Sequence, residues 1–174
     1  MIVVLEGPDF AGKSTIARAL IADFGGEVVA NGQPPRDVAL VEHYVLQVIT
    51  AAHRDGLTVF DRLHVGELIY GPLFRSECRL SEADVQSIEA ELDRAGAMKL
   101  HVNANDSVLL ERLRGPRGDD LVSKERDLLE IAAQYRRLLG NDGNDGNELA
   151  EGWLSMESTE ALALASAWLQ AETR

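Results

Sequence analysis

The sequence predicts a three-layer α/β fold, a parallel sheet of about five strands with helices on both faces. Short apolar segments alternate with segments of helical periodicity along all 174 residues, which is typical of repeated strand–helix units. The apolar segment at residues 1–6 leads into a glycine-rich loop and then into a helical segment. Another apolar segment ends in Asp61, at the edge of the sheet where ligands of such folds bind.

The composition excludes several classes of protein. Apolar residues make up 45% of the chain and charged residues 26%, so we expect one globular domain over residues 1–174. The net charge of −12 disfavours nucleic acid and anionic membranes as partners. The single cysteine, Cys78, permits no internal disulfide. No apolar run approaches the roughly 20 residues of a membrane span, and residues 1–9 do not resemble a signal peptide, so we expect a cytoplasmic location.

The first half of the chain is expected to hold three strands and three helices. Residues 1–6 are rich in Ile, Val and Leu, as in strands that are buried on both faces. Residues 14–24 have apolar positions at helical spacing and end at two glycines, which commonly close helices. The remaining elements are a strand at Glu27–Ala30, a helix that starts at Pro34 and Pro35 and runs to Ala52, a strand at 57–61, and a helix at 63–73 closed by Gly71 and Pro72.

The second half continues the alternation. Ser81 and Asp84 form a capping-box pattern before a helical segment that Gly96 ends,. Residues 141–147, NDGNDGN, are of low complexity and are expected to form a mobile surface loop. The other predicted elements are a strand at Met98–Asn103, a helix capped by Asp106 or Ser107, a basic loop at 114–118, an amphipathic helix from about Leu128 to Leu139, a strand at 152–156 and a helix capped by Ser158,.

Residues 7–14, GPDFAGKS, match the phosphate-loop pattern G-x-x-x-x-G-K-[ST] at every fixed position,. Gly7 and Gly12 permit backbone angles that turn successive N–H groups toward an anion. The helix that follows adds the positive end of its dipole. Lys13 would contact the β- and γ-phosphates, and the Ser14 hydroxyl can bind Mg²⁺. The pattern therefore predicts binding of a nucleoside triphosphate, against the alternative of a purely structural glycine turn.

Asp61 and Arg62 follow the third predicted strand. The aspartate can hold Mg²⁺ directly or through its waters, and the arginine can bind a second phosphate through two parallel hydrogen bonds. The alternative interpretation is a salt-bridged strand end without a ligand.

Five basic residues lie within residues 112–126, where three carboxylates accompany them. The segment is a local positive island in an acidic chain, and glycine and proline interrupt its helical pattern. Such a loop can close over transferring phosphates and stabilise their charge, whereas the alternative is a solvated helix end. The basic residues are Arg112, Arg114, Arg117, Lys124 and Arg126.

These motifs together resemble a known family. EGPDFAGKST, then FDR, then VLLERLRGPRGDD resemble the thymidylate kinases, and nucleoside monophosphate kinases generally. The segment DRLHVGELIYGPLFR is similar to the small thymidylate-kinase-like proteins of bacteriophages. The resemblance covers roughly residues 1–140 and implies a P-loop kinase fold with strand order 2-3-1-4-5. It also implies transfer of the ATP γ-phosphoryl group to a deoxynucleoside monophosphate, either dTMP or a related or modified deoxypyrimidine monophosphate.

The resemblance also assigns roles to residues of this chain. Asp9 would face the acceptor sugar hydroxyl or the phosphate centre, and Asp61 would join Ser14 in holding Mg²⁺ and its waters. The lid would span about residues 112–124. The implied ATP-binding residues are Gly7, Asp9, Ala11, Gly12, Lys13, Ser14, Thr15 and Arg112; the acceptor-binding residues are Asp9, Arg62, Tyr70, Phe74 and Arg75; and the catalytic residues are Lys13, Asp61, Arg62, Arg114 and Arg117.

Two departures from the family pattern matter. Phe10 occupies a place where some of these kinases have an arginine, which assigns the catalytic charge to the lid. The family usually has an arginine-containing segment after the second strand, and only residues 33–36, QPPR, resemble it here. The resemblance therefore does not identify the base of the acceptor.

Two rival functions are weighed against this one. A deoxynucleoside kinase would phosphorylate a 5′-hydroxyl and need a general base; residues 30–32, Ala-Asn-Gly, offer no carboxylate after the second strand, where those enzymes have one. A non-catalytic nucleotide-binding module would need neither Arg62 nor the lid arginines. The partners expected are small nucleotides, with a homodimer left open, in a cytoplasm that is the host's if the chain comes from a phage.

Overall fold

A computed structural model of the chain describes residues 1–115, 122–140 and 148–173. Within these residues, five strands form one sheet and seven helices surround it. None of these helices is long and apolar enough to cross a membrane. The elements are β1 (Ile2–Glu6), α1 (Lys13–Phe24), β2 (Glu27–Ala30), α2 (Leu40–Ala52), β3 (Thr58–Asp61), α3 (Val65–Arg75), α4 (Glu82–Arg94), β4 (Met98–Asn103), α5 (Asp106–Arg114), α6 (Glu125–Leu139), a 3₁₀ turn at Glu148–Ala150, β5 (Trp153–Glu157) and α7 (Ser158–Glu172).

The sheet has the strand order β2-β3-β1-β4-β5, and all four strand pairs are parallel. Both the predicted fold class and the predicted order are confirmed. The central strand β1 is wholly buried, because helices cover both faces of the sheet. Leu5 pairs with Asp61 and Glu6 pairs with His101, so the chain segments that leave β1, β3 and β4 emerge at one edge.

The start of α2 differs from the prediction. Pro34 and Pro35 do not open the helix, which begins at Leu40 after the extended residue Ala39. The reason is a contact distant in sequence. The Arg79 guanidinium donates to the carbonyl oxygens of Pro35, Arg36 and Val38, which holds these residues in a non-helical conformation. Those residues therefore form an irregular segment before the helix.

The end of α3 also differs from the prediction. Gly71 and Pro72 do not close the helix, which continues through Pro72 to Arg75. The ring of Pro72 is exposed, and the ion pair between Glu67 and Arg75 spans the proline. This tertiary contact holds the last turn although proline removes one backbone donor.

Two helix caps were predicted one residue or more too late. Asn105, rather than Asp106 or Ser107, precedes α5, and Glu157, rather than Ser158, precedes α7. Ser158 is the first residue of its helix, and β5 ends at Glu157 rather than at Met156. The capping box of Ser81 and Asp84 is confirmed. The predicted loop at 141–147, together with Arg117, lies outside the described residues.

Candidate active site

The phosphate loop has the backbone geometry that its sequence predicts. Gly7 has φ 146°, and a Cβ atom there would lie 2.3 Å from the carbonyl oxygen of Val102, so only glycine fits between β1 and β4. Phe10 has φ 65°, and Gly12 is the residue before α1. The loop therefore curls around the N-terminus of α1, which directs backbone N–H groups and a helix dipole toward an anion.

A cleft of about 610 Å³ opens over this loop. Its walls include the N-terminus of α1, the end of β3 and the start of α7. No sequence motif had indicated that α7 lines the cleft. Charged, hydroxyl and apolar side chains all line it. The lining residues are Asp9, Phe10, Gly12, Lys13, Ser14, Thr15, Ile16, Asp61, Arg62, Arg112, Ser158, Thr159 and Leu162.

Lys13 lies under the loop with only 5% of its surface exposed. Its Nζ donates a hydrogen bond to the carbonyl oxygen of Pro8 at 2.6 Å. Burial, and then the charge of Arg62, lower the pKa of Lys13 to about 8. A phosphate beside this amine would favour its charged form, because an anion compensates for the lost hydration.

Ser14 and Asp61 meet at the metal position that the sequence predicts. The Ser14 hydroxyl donates to Asp61 Oδ2 at 2.6 Å, and the buried Asp61 Oδ1 has no protein partner among the described residues. Hydroxyl and carboxylate oxygens are the ligands that Mg²⁺ prefers, and Mg²⁺ commonly takes its other ligands from water and phosphate. The pair therefore fits Mg²⁺. No cluster of three or more His, Cys, Asp or Glu in the described part of the chain offers a separate metal site.

Arg62, Asp9 and Tyr70 form a partly buried cluster beside the phosphate loop. Arg62 Nη2 donates to Asp9 Oδ1 and, at 3.0 Å, to the Tyr70 hydroxyl, which donates to Asp9 Oδ2 at 2.9 Å. The guanidinium carbon lies 5.1 Å from the centre of the Tyr70 ring. Burial raises the pKa of Asp9, but Arg62 and Lys13 outweigh it and hold that pKa below its usual range. Asp9 is therefore an anion that orients Arg62, and a weak base.

Arg62 has φ 67°, a left-handed conformation that costs a residue with a side chain on the order of 1–3 kcal/mol. Its neighbours hold it there. Its N–H donates to the carbonyl oxygen of Leu5 at 2.9 Å, and its carbonyl oxygen accepts from Asn31 Nδ2 at 3.0 Å. The buried Arg62 Nε has no partner in the described residues, so a donor remains for an anion.

Glu6 is the most important residue of the site that sequence reasoning missed. It is fully buried, and its Oε1 accepts from the N–H groups of Leu63 at 2.8 Å and Val65 at 3.1 Å. Its Oε2 accepts from the Tyr135 hydroxyl at 2.9 Å. Glu6 thus fixes the turn that contains Arg62. A carboxylate at the end of an apolar strand was the available signal, since a charge buried there needs partners.

The predicted lid arginines are only partly placed. Arg112 and Arg114 lie on the last turn of α5 rather than in a loop. Arg112 Nη1 donates to the carbonyl oxygen of Phe10 at 2.7 Å, so it contacts the phosphate loop directly. Arg114 pairs with Glu125 at 2.8 Å and does not line the cleft.

The predicted acceptor residues divide into two groups. Tyr70 belongs to the cluster with Arg62 and Asp9, and Phe74 stacks on it with ring centres 6.0 Å apart. Arg75 instead pairs with Glu67. These three residues do not line the cleft. Of the residues predicted to bind ATP, Thr15 lines the cleft, whereas Ala11 is buried. Ser158, Thr159 and Leu162 line it as well, and no motif had indicated them.

No family model matches the sequence, and no curated protein does. Several solved structures are similar to this chain. The YorR protein of Bacillus subtilis, in complex with phosphorylated GDP, has 24% identity and a TM-score of 0.71, with 99% of this chain and 98% of that chain covered. Deoxyadenosine kinase from M. mycoides, with dCMP and dCDP bound, has 13% identity and a TM-score of 0.55 over 98% and 100% of the two chains. The fold is that of the P-loop kinases.

Polyphosphate kinase 2 from Arthrobacter aurescens TC1 is a further structural neighbour of this P-loop kinase fold. It has 17% identity and a TM-score of 0.57, with 97% of this chain and 65% of that chain covered. These likenesses confirm the architecture that the phosphate loop predicts. The acceptor and the roles of individual residues stay predictions.

Replacing Glu6 by alanine should lower the free energy of unfolding by about 3 kcal/mol or more, because at least two buried N–H donors lose their acceptor. Tyr135→Phe is the matched control, since it leaves the bonds to Leu63 and Val65 intact; it should cost only about 1–2 kcal/mol. Equilibrium unfolding in urea measures both. Equal losses would contradict the assigned role of Glu6.

Affinity for MgATP should fall as the pH rises through about 8, the pKa of Lys13 in the free protein. Below that pH the amine is charged before and after binding; above it, binding must take up a proton, so the affinity falls by about tenfold per pH unit. Titration calorimetry between about pH 7 and pH 9.5 covers this window. Lys13→Ala should bind weakly with no such slope, and an unchanged slope in that variant would assign the titration to another group.

Proposed function

We propose that this chain transfers the γ-phosphoryl group of ATP, with Mg²⁺, to a deoxynucleoside monophosphate, with dTMP or a related or modified deoxypyrimidine monophosphate as the acceptor. The observation that carries the proposal is the placement of two cations on either side of the phosphate loop. Lys13 lies under the loop, and Arg62 lies beside it with its Nε unpartnered in the described residues. Two phosphate groups can therefore bind side by side.

On the donor side, the loop and Lys13 would hold the β- and γ-phosphates, and Ser14 and Asp61 would hold Mg²⁺. The bound metal would supply charge neutralisation on the transferring phosphate. Arg112, which already contacts Phe10, would lie against the triphosphate. The first turn of α7, with Ser158 and Leu162, would border the base or ribose of ATP, since it lines the same cleft.

On the acceptor side, Arg62 would bind the monophosphate, and Asp9 would hold Arg62 and face the acceptor sugar. The stacked rings of Tyr70 and Phe74 offer an apolar surface of the kind that a nucleoside base contacts. Phe74 is 40% exposed, so its ring is available to a ligand. The remaining task is positioning and charge stabilisation, because an acceptor phosphate oxygen is already ionised and needs no base.

The positive charge that stabilises the transferring phosphate would come from Arg114 or Arg117 of the lid segment. Arg114 pairs with the exposed side chain of Glu125, and exposed ion pairs are worth only about 0.2–1 kcal/mol. That pair can therefore exchange for a phosphate when nucleotides bind. Arg117 lies outside the described residues and keeps this role on the family resemblance alone.

A deoxynucleoside kinase is the second candidate, because deoxyadenosine kinase from M. mycoides is among the structural neighbours. The residue that follows β2 does not favour this second candidate. Asn31 follows that strand and is bonded to Gln47 and to the Arg62 carbonyl oxygen, so no carboxylate stands there to deprotonate a hydroxyl. Asp9, with its lowered pKa, is a poor substitute,.

An ADP-release assay tests the proposal directly. ATP and Mg²⁺ are supplied with each common and modified nucleoside and nucleoside monophosphate in turn. Turnover with a deoxypyrimidine monophosphate supports the proposal. Turnover with nucleosides alone would favour the second candidate, and ADP release with no acceptor at all would contradict both.

Arg62→Ala should raise the acceptor KM by about tenfold or more and the ATP KM much less, because the lost ionic hydrogen bonds are made to the acceptor. Arg62→Lys should restore only part of the loss, since an ammonium lacks the planar fork. Arg54→Ala is the control, an exposed arginine paired with Glu27 at the opposite end of β2. Equal rises in the two KM values would mean that Arg62 has a structural role only.

A further inference from the structure

The segment between β2 and α2, residues 31–39, begins beside the turn that contains Arg62. Its first residue, Asn31, donates its backbone N–H to the Asp61 carbonyl oxygen at 3.0 Å and donates from Nδ2 to the Arg62 carbonyl oxygen at 3.0 Å. The segment therefore starts at the same turn that presents Arg62 to the cleft. It has no helix or strand of its own, so its conformation depends on contacts from elsewhere.

One side chain binds the middle of the segment, residues 35–38. Arg79 Nη1 donates to the carbonyl oxygen of Pro35 at 2.7 Å, and Nη2 donates to those of Arg36 at 3.1 Å and Val38 at 2.7 Å. These acceptors are more than 40 residues away in sequence. A planar guanidinium can satisfy several carbonyl groups at fixed angles, whereas an ammonium on a flexible stem cannot hold the same geometry.

The position of Arg79 is itself fixed by α3. Its backbone N–H donates to Glu67 Oε1 at 3.1 Å, and Glu67 is buried on the helix that also presents Tyr70 to Asp9. At Gly71 a Cβ atom would lie 2.6 Å from the carbonyl oxygen of Glu77 and 3.0 Å from Glu67 Oε1. The helix thus has a glycine where the returning chain crosses it closely.

We infer that Arg79 is a positioning residue for the acceptor, an inference that rests on the proposed function. It holds residues 35–38 against α3, so the irregular segment and the Tyr70–Phe74 face form one preorganised wall. Arg79 itself contacts neither the phosphate loop nor the cleft in the described residues. Its contribution is therefore to acceptor binding, and ATP binding does not depend on it.

Kinetics of two Arg79 variants test this role. Arg79→Ala should raise the acceptor KM by about tenfold or more, because three carbonyl groups lose an ionic donor, while the ATP KM changes by less than about twofold. Arg79→Lys should recover part of the loss. The matched control is Arg94→Ala, an exposed arginine of α4 whose ion pair with Glu91 is local; it should behave as the wild type.

Amide hydrogen exchange without nucleotides gives a readout that needs no turnover. Exchange of residues 36–39 should be faster in Arg79→Ala than in the wild type and in Arg94→Ala, because the segment loses its anchor. Unaltered exchange together with an unaltered acceptor KM would overturn the inference. A parallel rise of both KM values would overturn it too, since that pattern indicates general damage.

The wild-type chain separates this inference from the proposed function. If it turns over no acceptor in the ADP-release assay, the proposed function fails and the inference fails with it. If it phosphorylates a deoxynucleoside monophosphate normally while Arg79→Ala keeps the wild-type acceptor KM, only the inference fails.

Discussion

The buried carboxylate of Glu6 is the constraint on which the geometry of the cleft depends. Glu6 is the last residue of β1, so the phosphate loop starts at the next residue. Its Oε1 binds the N–H groups of Leu63 and Val65, which follow Arg62 directly. One side chain therefore fixes the distance between the loop that would hold a triphosphate and the arginine that would hold an acceptor. Neither can shift without leaving buried donors unpaired.

The charges of the cleft follow from this arrangement. In a chain with a net charge of −12, Lys13, Arg62 and Arg112 converge on one loop, and Asp9 and Asp61 are the carboxylates that line the same cleft. Burial lowers the pKa of Lys13, and the ion pair with Arg62 lowers the pKa of Asp9 and so keeps it ionised. A bound phosphate would replace the missing hydration of these cations, so electrostatic preorganisation is already present before ligands bind.

Local motifs could be predicted from the sequence, because their physics is contained in adjacent residues. The phosphate loop and the capping box of Ser81 and Asp84 are examples. The strand order instead followed from the family resemblance, and the placement of Asp61 followed from the edge of the sheet at which ligands of such folds bind. Contacts between distant residues could not be predicted. The start of α2 depends on Arg79, and the passage of α3 through Pro72 depends on the Glu67–Arg75 pair. The role of Glu6 depends on donors from the turn after β3, from the first residue of α3 and from α6. Ser158 and Leu162 enter the cleft only because β5 and α7 close the sheet edge beside the loop.

The fate of the γ-phosphorus of ATP tests the account most directly. The chain is incubated with ATP labelled with ³²P at the γ position, Mg²⁺ and an equal mixture of thymidine and dTMP, and the nucleotide products are separated by chromatography. The account predicts that the label appears in dTDP, since it proposes that Arg62, whose Nε has no partner among the described residues, binds an acceptor phosphate. Label in dTMP, or in inorganic phosphate alone, would contradict it.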